Sequence, residues 1–400
     1  MALPYTNTTK DMQMPASQLR LGIAGLGRAF KLMLPTFAQH PRILLAGAAD
    51  PRLEARQRFT REFGARAFAS VEDLCADPGI DAVYIATPHG FHVEHVLLAA
   101  RHGKHVLVEK PMALTLEDCD AMIAAAHSAG VRLLVGHCHS FDAPYRLTRT
   151  LIESGRFGRL RMIHALNFTD FLYRPRRPEE LRTSEGGGAI FSQAPHQVDI
   201  ARLLAGRHVR SVRAASGNWD PARPTEGAYS AFLAFDGDIQ ASLTYSGYGH
   251  FDSDELMGWI GEMGNPCDPA QYGTARAQLR DVKSPEAEAA IKNARAYGSG
   301  PGQPAAALPA AYNHFGFFLA SCEGADLRPM PNGVWVYADT EKHFEALPPP
   351  STPRGEVVDE FFNAAVGGIP PLHDGLWGRT TLEVCLAILR SSLEGREITL

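Results

Sequence analysis

The 400-residue chain is poor in the features that mark several protein classes. Its six cysteines, Cys75, Cys119, Cys138, Cys267, Cys322 and Cys385, are scattered and form no CxxC pair. That spacing argues against a disulfide frame or a thiolate zinc site, and for reduced thiols in a reducing compartment. No run of about 18 apolar residues occurs, so no membrane span is expected. Residues 1–18 are polar, with neither an apolar core nor a twin arginine, and do not read as a secretory signal. A cytoplasmic protein is the expectation. Lys and Arg number 39 against 44 Asp and Glu, a formal charge of -5. Without a basic excess there is no field to hold a phosphate backbone, and nucleic acid is not an expected partner. We find no internal repeat.

What the chain does have is length for two ordinary cores and a change of pattern near Phe141. Residues 19–141 alternate short apolar runs with helical stretches, the signature of βαβ units in a parallel sheet. Strands are expected at 21–24, 43–49, 82–86, 105–108 and 132–136, with helices at 29–39, 53–63, 94–100 and 116–129. Near-continuous apolar strands need helices on both faces, so a doubly wound α/β fold is predicted.

In 142–400 longer strands are expected at 160–168, 209–217, 228–235 and 240–248, with Asp236-Gly237 as a hairpin turn. A mostly antiparallel open sheet follows, giving a second α/β domain. Residues 265–311, rich in Ala, Pro and Gly, read as an inserted excursion with a short helix at 286–296 and no catalytic role. The stretches 357–363 and 380–393 read as helices packed on the second domain.

Gly25-Leu26-Gly27 lies between a strand and a helix. Such a turn lets backbone amides approach a pyrophosphate, with the helix N-terminus adding partial positive charge. Phe30 stands where a third glycine would complete the fingerprint, so the turn alone is a weak signal. Asp50, about 20 residues on at the end of the second strand, is placed to accept both ribose hydroxyls of NAD. Arg52 and Arg56 could instead embrace a 2'-phosphate or simply line a solvated helix, so NAD is preferred and NADP stays open.

Glu109-Lys110-Pro111 follows a buried strand and puts Lys110 at the carboxyl edge of the sheet, where ligands of open α/β folds bind. There it is either a surface charge or a proton carrier. His137 and His139 share one face of a strand end, but two histidines with no carboxylate or thiolate beside them do not make a metal site, and no metal is expected. Tyr173-Arg174-Pro175-Arg176-Arg177-Pro178 concentrates cations just before Gly186-Gly187-Gly188 and His196. It is either a stiff solvated loop or a receptor for an anionic substrate, since guanidinium groups pair bidentately with carboxylates.

The succession Gly25-Leu26-Gly27, Asp50, Ala86-Thr87-Pro88 with His92, Glu109-Lys110-Pro111, and Gly186-Gly187-Gly188 to His196 and Asp199 resembles the glucose-fructose oxidoreductase and inositol dehydrogenase (Gfo/Idh/MocA) family. The resemblance implies a Rossmann domain with bound NAD(H) or NADP(H), a C-terminal domain with an open antiparallel sheet, and homodimers or homotetramers. It implies cofactor contacts from Gly25, Gly27, Arg28, Ala29, Asp50 and Arg52, and from Thr87, Pro88, His92, Glu109 and Lys110. Lys110 and His196 become the proton-transfer residues. Substrate contacts are expected from His139, Arg174, Arg176, Arg177, Gln193 and His196, with His89 near the nicotinamide.

One departure matters: many sugar dehydrogenases of the family carry an aspartate four residues before that histidine, and here Ser192 stands there. Residues 173–199 are similar to the branch that includes phthalate 4,5-cis-dihydrodiol dehydrogenases. That likeness implies oxidation of a carboxylated, aromatic-derived cis-diol. A sugar or inositol dehydrogenase, an NAD-dependent glycosidase and a non-catalytic dinucleotide sensor are the competing readings. Asp199 could serve chemistry or structure.

Overall fold

The computed structural model describes residues 18–136, 139–299 and 309–400. His137 and Cys138 lie outside the described residues, as do most of the polar N-terminal stretch and 300–308 of the Ala/Pro/Gly-rich segment. The five described cysteines outside that gap are free thiols. No helix among the described residues is long and apolar enough to cross a membrane.

The first part alternates β1 (Leu19–Ala24), α1 (Arg28–Gln39), β2 (Ile43–Ala49), α2 (Leu53–Phe63), β3 (Arg66–Phe68), α3 (Val71–Ala76), β4 (Ala82–Ile85), α4 (His92–Arg101), β5 (His105–Val108), α5 (Leu116–Ala129) and β6 (Leu133–Val135). The six strands are parallel, in the order β3-β2-β1-β4-β5-β6. This is the doubly wound order, whose switch point lies between β1 and β4. Every residue of β4 is buried, as a strand covered on both faces requires. The short β3 and α3 were not anticipated, because neither is long enough to carry a periodic signal.

After α6 (Ala143–Glu153) the chain builds a second layer: β7 (Leu160–Phe168), α7 (Gly188–Ser192), α8 (Ala194–Ala205), β8 (Val209–Gly217), β9 (Ala228–Phe235), β10 (Gln240–Ser246), α9 (Thr274–Arg280), α10 (Pro285–Asn293), β11 (Phe317–Cys322), β12 (Ala325–Met330), β13 (Gly333–Ala338), β14 (Lys342–Ala346), α11 (Gly355–Ala365), α12 (Gly375–Glu394) and β15 (Ile398–Thr399). Nine strands form one sheet, β14-β13-β12-β11-β7-β10-β9-β8-β15, antiparallel except for the β7–β10 pair. The predicted turn at Asp236-Gly237 joins β9 to β10, with Gly237 and Asp238 both at positive φ.

The two C-terminal helices do not pack on the second sheet alone. Val357, Val358 and Phe361 of α11 enter the core built around Ile23, Phe30 and Tyr84 of the first sheet. Along α12, Val384 and Ile388 face Val198 and Leu233 of the second layer, while Leu382 meets Met122 and Val135 of the first. An amphipathic pattern shows that a helix has a buried face, not which core receives it. The Ala/Pro/Gly-rich segment also returns to the first layer: Tyr297 packs edge-on against Phe30, with ring centroids 5.2 Å apart, and donates to Glu62 at 2.6 Å.

Candidate functional site

The dinucleotide side forms where the loops after β1 and β4 meet. Gly25 has φ +95, and a Cβ there would lie 2.9 Å from Ala86 O and 3.0 Å from Thr87 N. Any larger residue would force the two loops apart. Gly27 caps α1, which carries neither a side-chain cap nor an acid in its first turn. By contrast α3 and α5 begin with Ser70 and Thr115 as caps followed by acidic residues. The amides at Arg28 and Ala29 therefore open a helix N-terminus suited to an anion, so the residues present fit a dinucleotide pyrophosphate.

Asp50 reaches the end of β2, but its carboxylate is engaged by the protein. It accepts from Leu26 N at 2.8 Å, Arg52 N at 2.9 Å and the Arg52 guanidinium at 2.9 and 3.0 Å. Arg52 also donates to the Tyr297 carbonyl at 3.1 Å. The acid and the base weighed as rivals thus form one bidentate pair, which ties the Rossmann edge to the later segment.

Two expected cofactor residues serve position instead. His92 is fully buried, with Nδ1 3.1 Å from Pro111 O and Nε2 3.0 Å from Thr87 O, so it links the loops after β4 and β5. The Glu109 carboxylate turns into the core, where it accepts from the Tyr84 hydroxyl and from Lys110 N at 3.3 Å. Burial raises its pKa. Thr87 pairs through its hydroxyl with His95 of α4 at 3.0 Å. Pro88 is exposed at the same edge, and burial lowers the neighbouring His89 to about 3, keeping it neutral.

Lys110 links the two halves. It leaves the end of β5, and its Nζ donates to the Ser192 carbonyl at 2.6 Å. Ser192 thus acts through its main chain, and the absent aspartate is not needed to hold the lysine. Gly187 and Gly188 let the chain entering α7 pack closely on Glu180 and Glu226. A Cβ at Gly187 would meet the Glu180 backbone at 2.6 Å, and one at Gly188, φ +80, would meet Glu226 Oε1 at 2.1 Å. His196 follows in the first turn of α8, buried, with its ring 4.7 Å from those of both His139 and Phe315.

His139, completely buried, is held by Asp142 at 2.7 Å on Nδ1 and faces Glu262 at 3.5 Å on Nε2. Burial works against the His139 charge, yet the two carboxylates leave its pKa raised. The Glu262 carboxyl is pushed up by burial, but His139, Arg174 and Lys110 draw it down to about 2. Glu262 is the residue the sequence reading missed. It sits in an irregular loop after β10, where only the flanking Gly261 and Gly264 hint at a special position. Asp199 proves structural: it accepts from Ser140 N at 3.1 Å and from Trp377 Nε1 at 2.5 Å. Gln193 is half-buried at the junction of α7 and α8.

The arginine loop is neutralised within itself. Arg174 pairs with Asp170 at 2.8 Å, Arg177 with Glu179 at 3.0 Å, and Arg182 with Glu185 at 2.7 Å. Arg177 is turned to the acids of its own 3-10 turn rather than to the site. Arg176 stacks 3.6 Å over the Phe171 ring and donates to the Phe171 carbonyl at 2.7 Å, and burial lowers it to about 10. Arg28 enters no ion pair among the described residues, and its pKa is lowered by burial and by nearby Arg295 and Arg174. Arg28 therefore presents the uncompensated positive charge near Glu262, while Arg174 is already paired with Asp170.

Residues 19–137 match the family model described as oxidoreductase family, NAD-binding Rossmann fold, and residues 145–264 match the GFO/IDH/MocA C-terminal domain. The chain is 48% identical over 375 residues to the 1-carboxy-3-chloro-3,4-dihydroxycyclohexa-1,5-diene dehydrogenase of Comamonas testosteroni, covering 93% of this chain and 94% of that one. A solved chain from Bordetella bronchiseptica RB50 superposes with TM-score 0.91 at 42% identity, over 96% of this chain and all of that one. The WlbA dehydrogenase of Bordetella pertussis, solved with NADH and UDP-GlcNAcA, gives TM-score 0.68 at 26% identity over 96% and 99% of the two chains.

Proposed function

The chain belongs to the GFO/IDH/MocA family of oxidoreductases, with an NAD-binding Rossmann domain, and from that premise we propose that it oxidises a carboxylated cyclic cis-dihydrodiol with NAD. Residues 19–141 hold the cofactor in this reading and 142–400 the substrate. The observation that carries the substrate class is the near full-length likeness to the Comamonas protein, a dehydrogenase of a carboxylated dihydroxycyclohexadiene. The positive charge of Arg28 supports it, because a neutral polyol has no need of it.

A nicotinamide dinucleotide held at the Gly25, Asp50 and Thr87 edge would supply the hydride acceptor for the carbinol carbon. The carbinol C–H and O–H bonds break, a C=O bond forms, and the hydroxyl proton passes to Lys110. The neutral Lys110 amine takes that proton while one of its N–H bonds holds the nitrogen 2.6 Å from the Ser192 carbonyl, and His196, four residues further on from Ser192, assists the transfer. The dienone then tautomerises to a catechol, which draws the oxidation forward. Substrate carboxylate meets Arg28 rather than Arg174 or Arg177, which are paired with Asp170 and Glu179.

NAD is favoured over NADP by Asp50 and opposed by the Arg52 that covers it. The assembly proposed is a homodimer or homotetramer through the open face of the nine-stranded sheet, where His164, Leu166, Thr244 and Phe317 line a groove. Absorbance at 340 nm with purified protein, NAD or NADP, and a panel of carboxylated cis-dihydrodiols, neutral polyols and aryl glycosides tests the reading. Reduction confined to the carboxylated diols is expected. Turnover of polyols would make the arginines structural, and glycoside cleavage without net NADH would put the chain among hydrolases.

A further inference from the structure

Three segments distant in sequence bring His139, His196 and Glu262 together, each with one donor atom within 4.8 Å of the others. His139 comes from the 3-10 turn at His139–Phe141, His196 from the start of α8, and Glu262 from the loop after β10. Two imidazoles and a carboxylate form the donor set of nitrogen–oxygen sites for divalent transition metals. The spacing also agrees. Metal bonds of about 2.0–2.2 Å at a tetrahedral centre put donors about 3.4 Å apart. His139 Nε2 and Glu262 Oε1 are separated by 3.5 Å. All three donor atoms lie within 4.8 Å of one another, and Glu262 is the one member of the three with substantial exposure.

A second observation orients the site. The buried Asp142 carboxylate takes the Nδ1 proton of His139 at 2.7 Å, which leaves Nε2 to face Glu262. A carboxylate on the far nitrogen of a ligating histidine is the common outer partner in metal sites, fixing the ring and raising its basicity. Two carboxylates on opposite nitrogens of one imidazole require a positive centre on the Nε2 side, either a proton or a cation. The nearby His314 does not compete: its Nε2 donates to Ile260 O at 2.7 Å and its Nδ1 accepts from Gly316 N at 3.0 Å.

We propose that His139, His196 and Glu262 form a binding site for one divalent transition-metal ion, of the zinc or cobalt class, with a coordination position left for an oxygen ligand. No metal was expected from the sequence, because that reading weighed only His137 and His139. Metal binding does not depend on the substrate assignment. With metal bound, His196 is a ligand and the proton falls to Lys110 alone; without it, His196 keeps the assisting role proposed above.

The test uses the full-length protein, stripped with a chelator and titrated with Co(II), following visible d–d absorption and competition by Zn(II). One equivalent of Co(II) with a low-symmetry spectrum is expected. Glu262→Gln should abolish the spectrum while circular dichroism and NADH binding persist. Asp142→Asn should weaken the affinity about 10- to 100-fold. If Asp142→Asn fails to fold, His196→Gln replaces it, with loss of the spectrum expected. Absence of Co(II) binding, or a spectrum unchanged in Glu262→Gln, overturns the proposal and leaves a proton between His139 and Glu262. Failure of the carboxylated diols as substrates would leave these readouts untouched.

Discussion

The cofactor edge of the first sheet and the cluster around Glu262 are both polar, yet the chain makes them in different ways. Gly25, Asp50, Thr87 and Lys110 sit at the ends of successive parallel strands, so fixing the sheet order fixes them all. His139, Arg174, His196, Glu262 and His314 come from five segments and meet only when α8, the arginine loop and the loop after β10 pack together. The first kind of site survives changes in surrounding loops, because backbone amides do the binding. The second is tuned by burial and paired charge, as the opposed shifts of His139 and Glu262 show. Backbone contacts of the first kind suit a common cofactor, and a cluster of the second kind can be tuned to one ligand.

Lys110 belongs to both halves, and its removal tests the division most severely. Lys110→Ala should lower kcat by about 10²- to 10⁴-fold, the range for loss of a general base, with NADH affinity nearly unchanged. Single-turnover absorbance and fluorescence titration separate the two quantities. Undiminished turnover would take Lys110 out of the chemistry.

The glycines allow each half to be broken alone. Gly25→Ala places a Cβ 2.9 Å from Ala86 O at φ +95 and should weaken dinucleotide binding by about 1–3 kcal/mol. Gly188→Ala, with φ +80 and Glu226 at 2.1 Å, should instead disturb α7 and the Ser192 carbonyl, raising substrate KM at unaltered NADH affinity. If both variants lost cofactor and substrate alike, the halves would not be separable.

Much of this was legible from the sequence for a physical reason. The parallel strands are buried on both faces and announce themselves as apolar runs, and the glycine turn, weak by itself, gains meaning from Asp50 at the end of the next strand. The helix at 116–129 and the strands at 160–168, 209–217 and 228–235 match the observed bounds. Strands β11 to β14 went unread, although they form half of the sheet leading to its edge. Glu262 was invisible because no local pattern surrounds it, and its role exists only through His139, more than a hundred residues away. The arginine loop was seen as a charge cluster, but pairing with Asp170, Glu179 and Glu185 is a matter of geometry. His92 and Glu109 lie within the recognised motifs, yet both turn inward to tie loops together.

Arg52 sharpens the comparison where the later segment touches the cofactor edge. In Arg52→Ala the Asp50 carboxylate loses its guanidinium and becomes available to ribose hydroxyls, while any hold on a 2'-phosphate goes. The kcat/KM ratio of NAD to NADP should rise about tenfold, the lower end for one hydrogen bond to a charged group. An unchanged ratio would make Arg52 only a strut between Asp50 and Tyr297.

The smallest effect concerns α11, which belongs by sequence to the second half and by packing to the first. Burial, reinforced by Asp142 and Asp359, pushes the Glu356 carboxyl up to about 7. Its folded pKa thus exceeds its unfolded value, so the protonated form is favoured by folding. That contribution is fully present below the ordinary carboxylate pKa and is lost as pH rises from there through about 7. Above that range the wild type carries a buried charge that Glu356→Gln does not. The variant should therefore be more stable by about 1 kcal/mol at alkaline pH, after allowance for partial solvent screening, and nearly equal to the wild type at pH near 4. Urea unfolding at the two pH values measures the difference. A gain of equal size at both would assign the effect to packing of α11 against the first sheet, and the pH-dependent gain assigns it to the charge buried where the two halves meet.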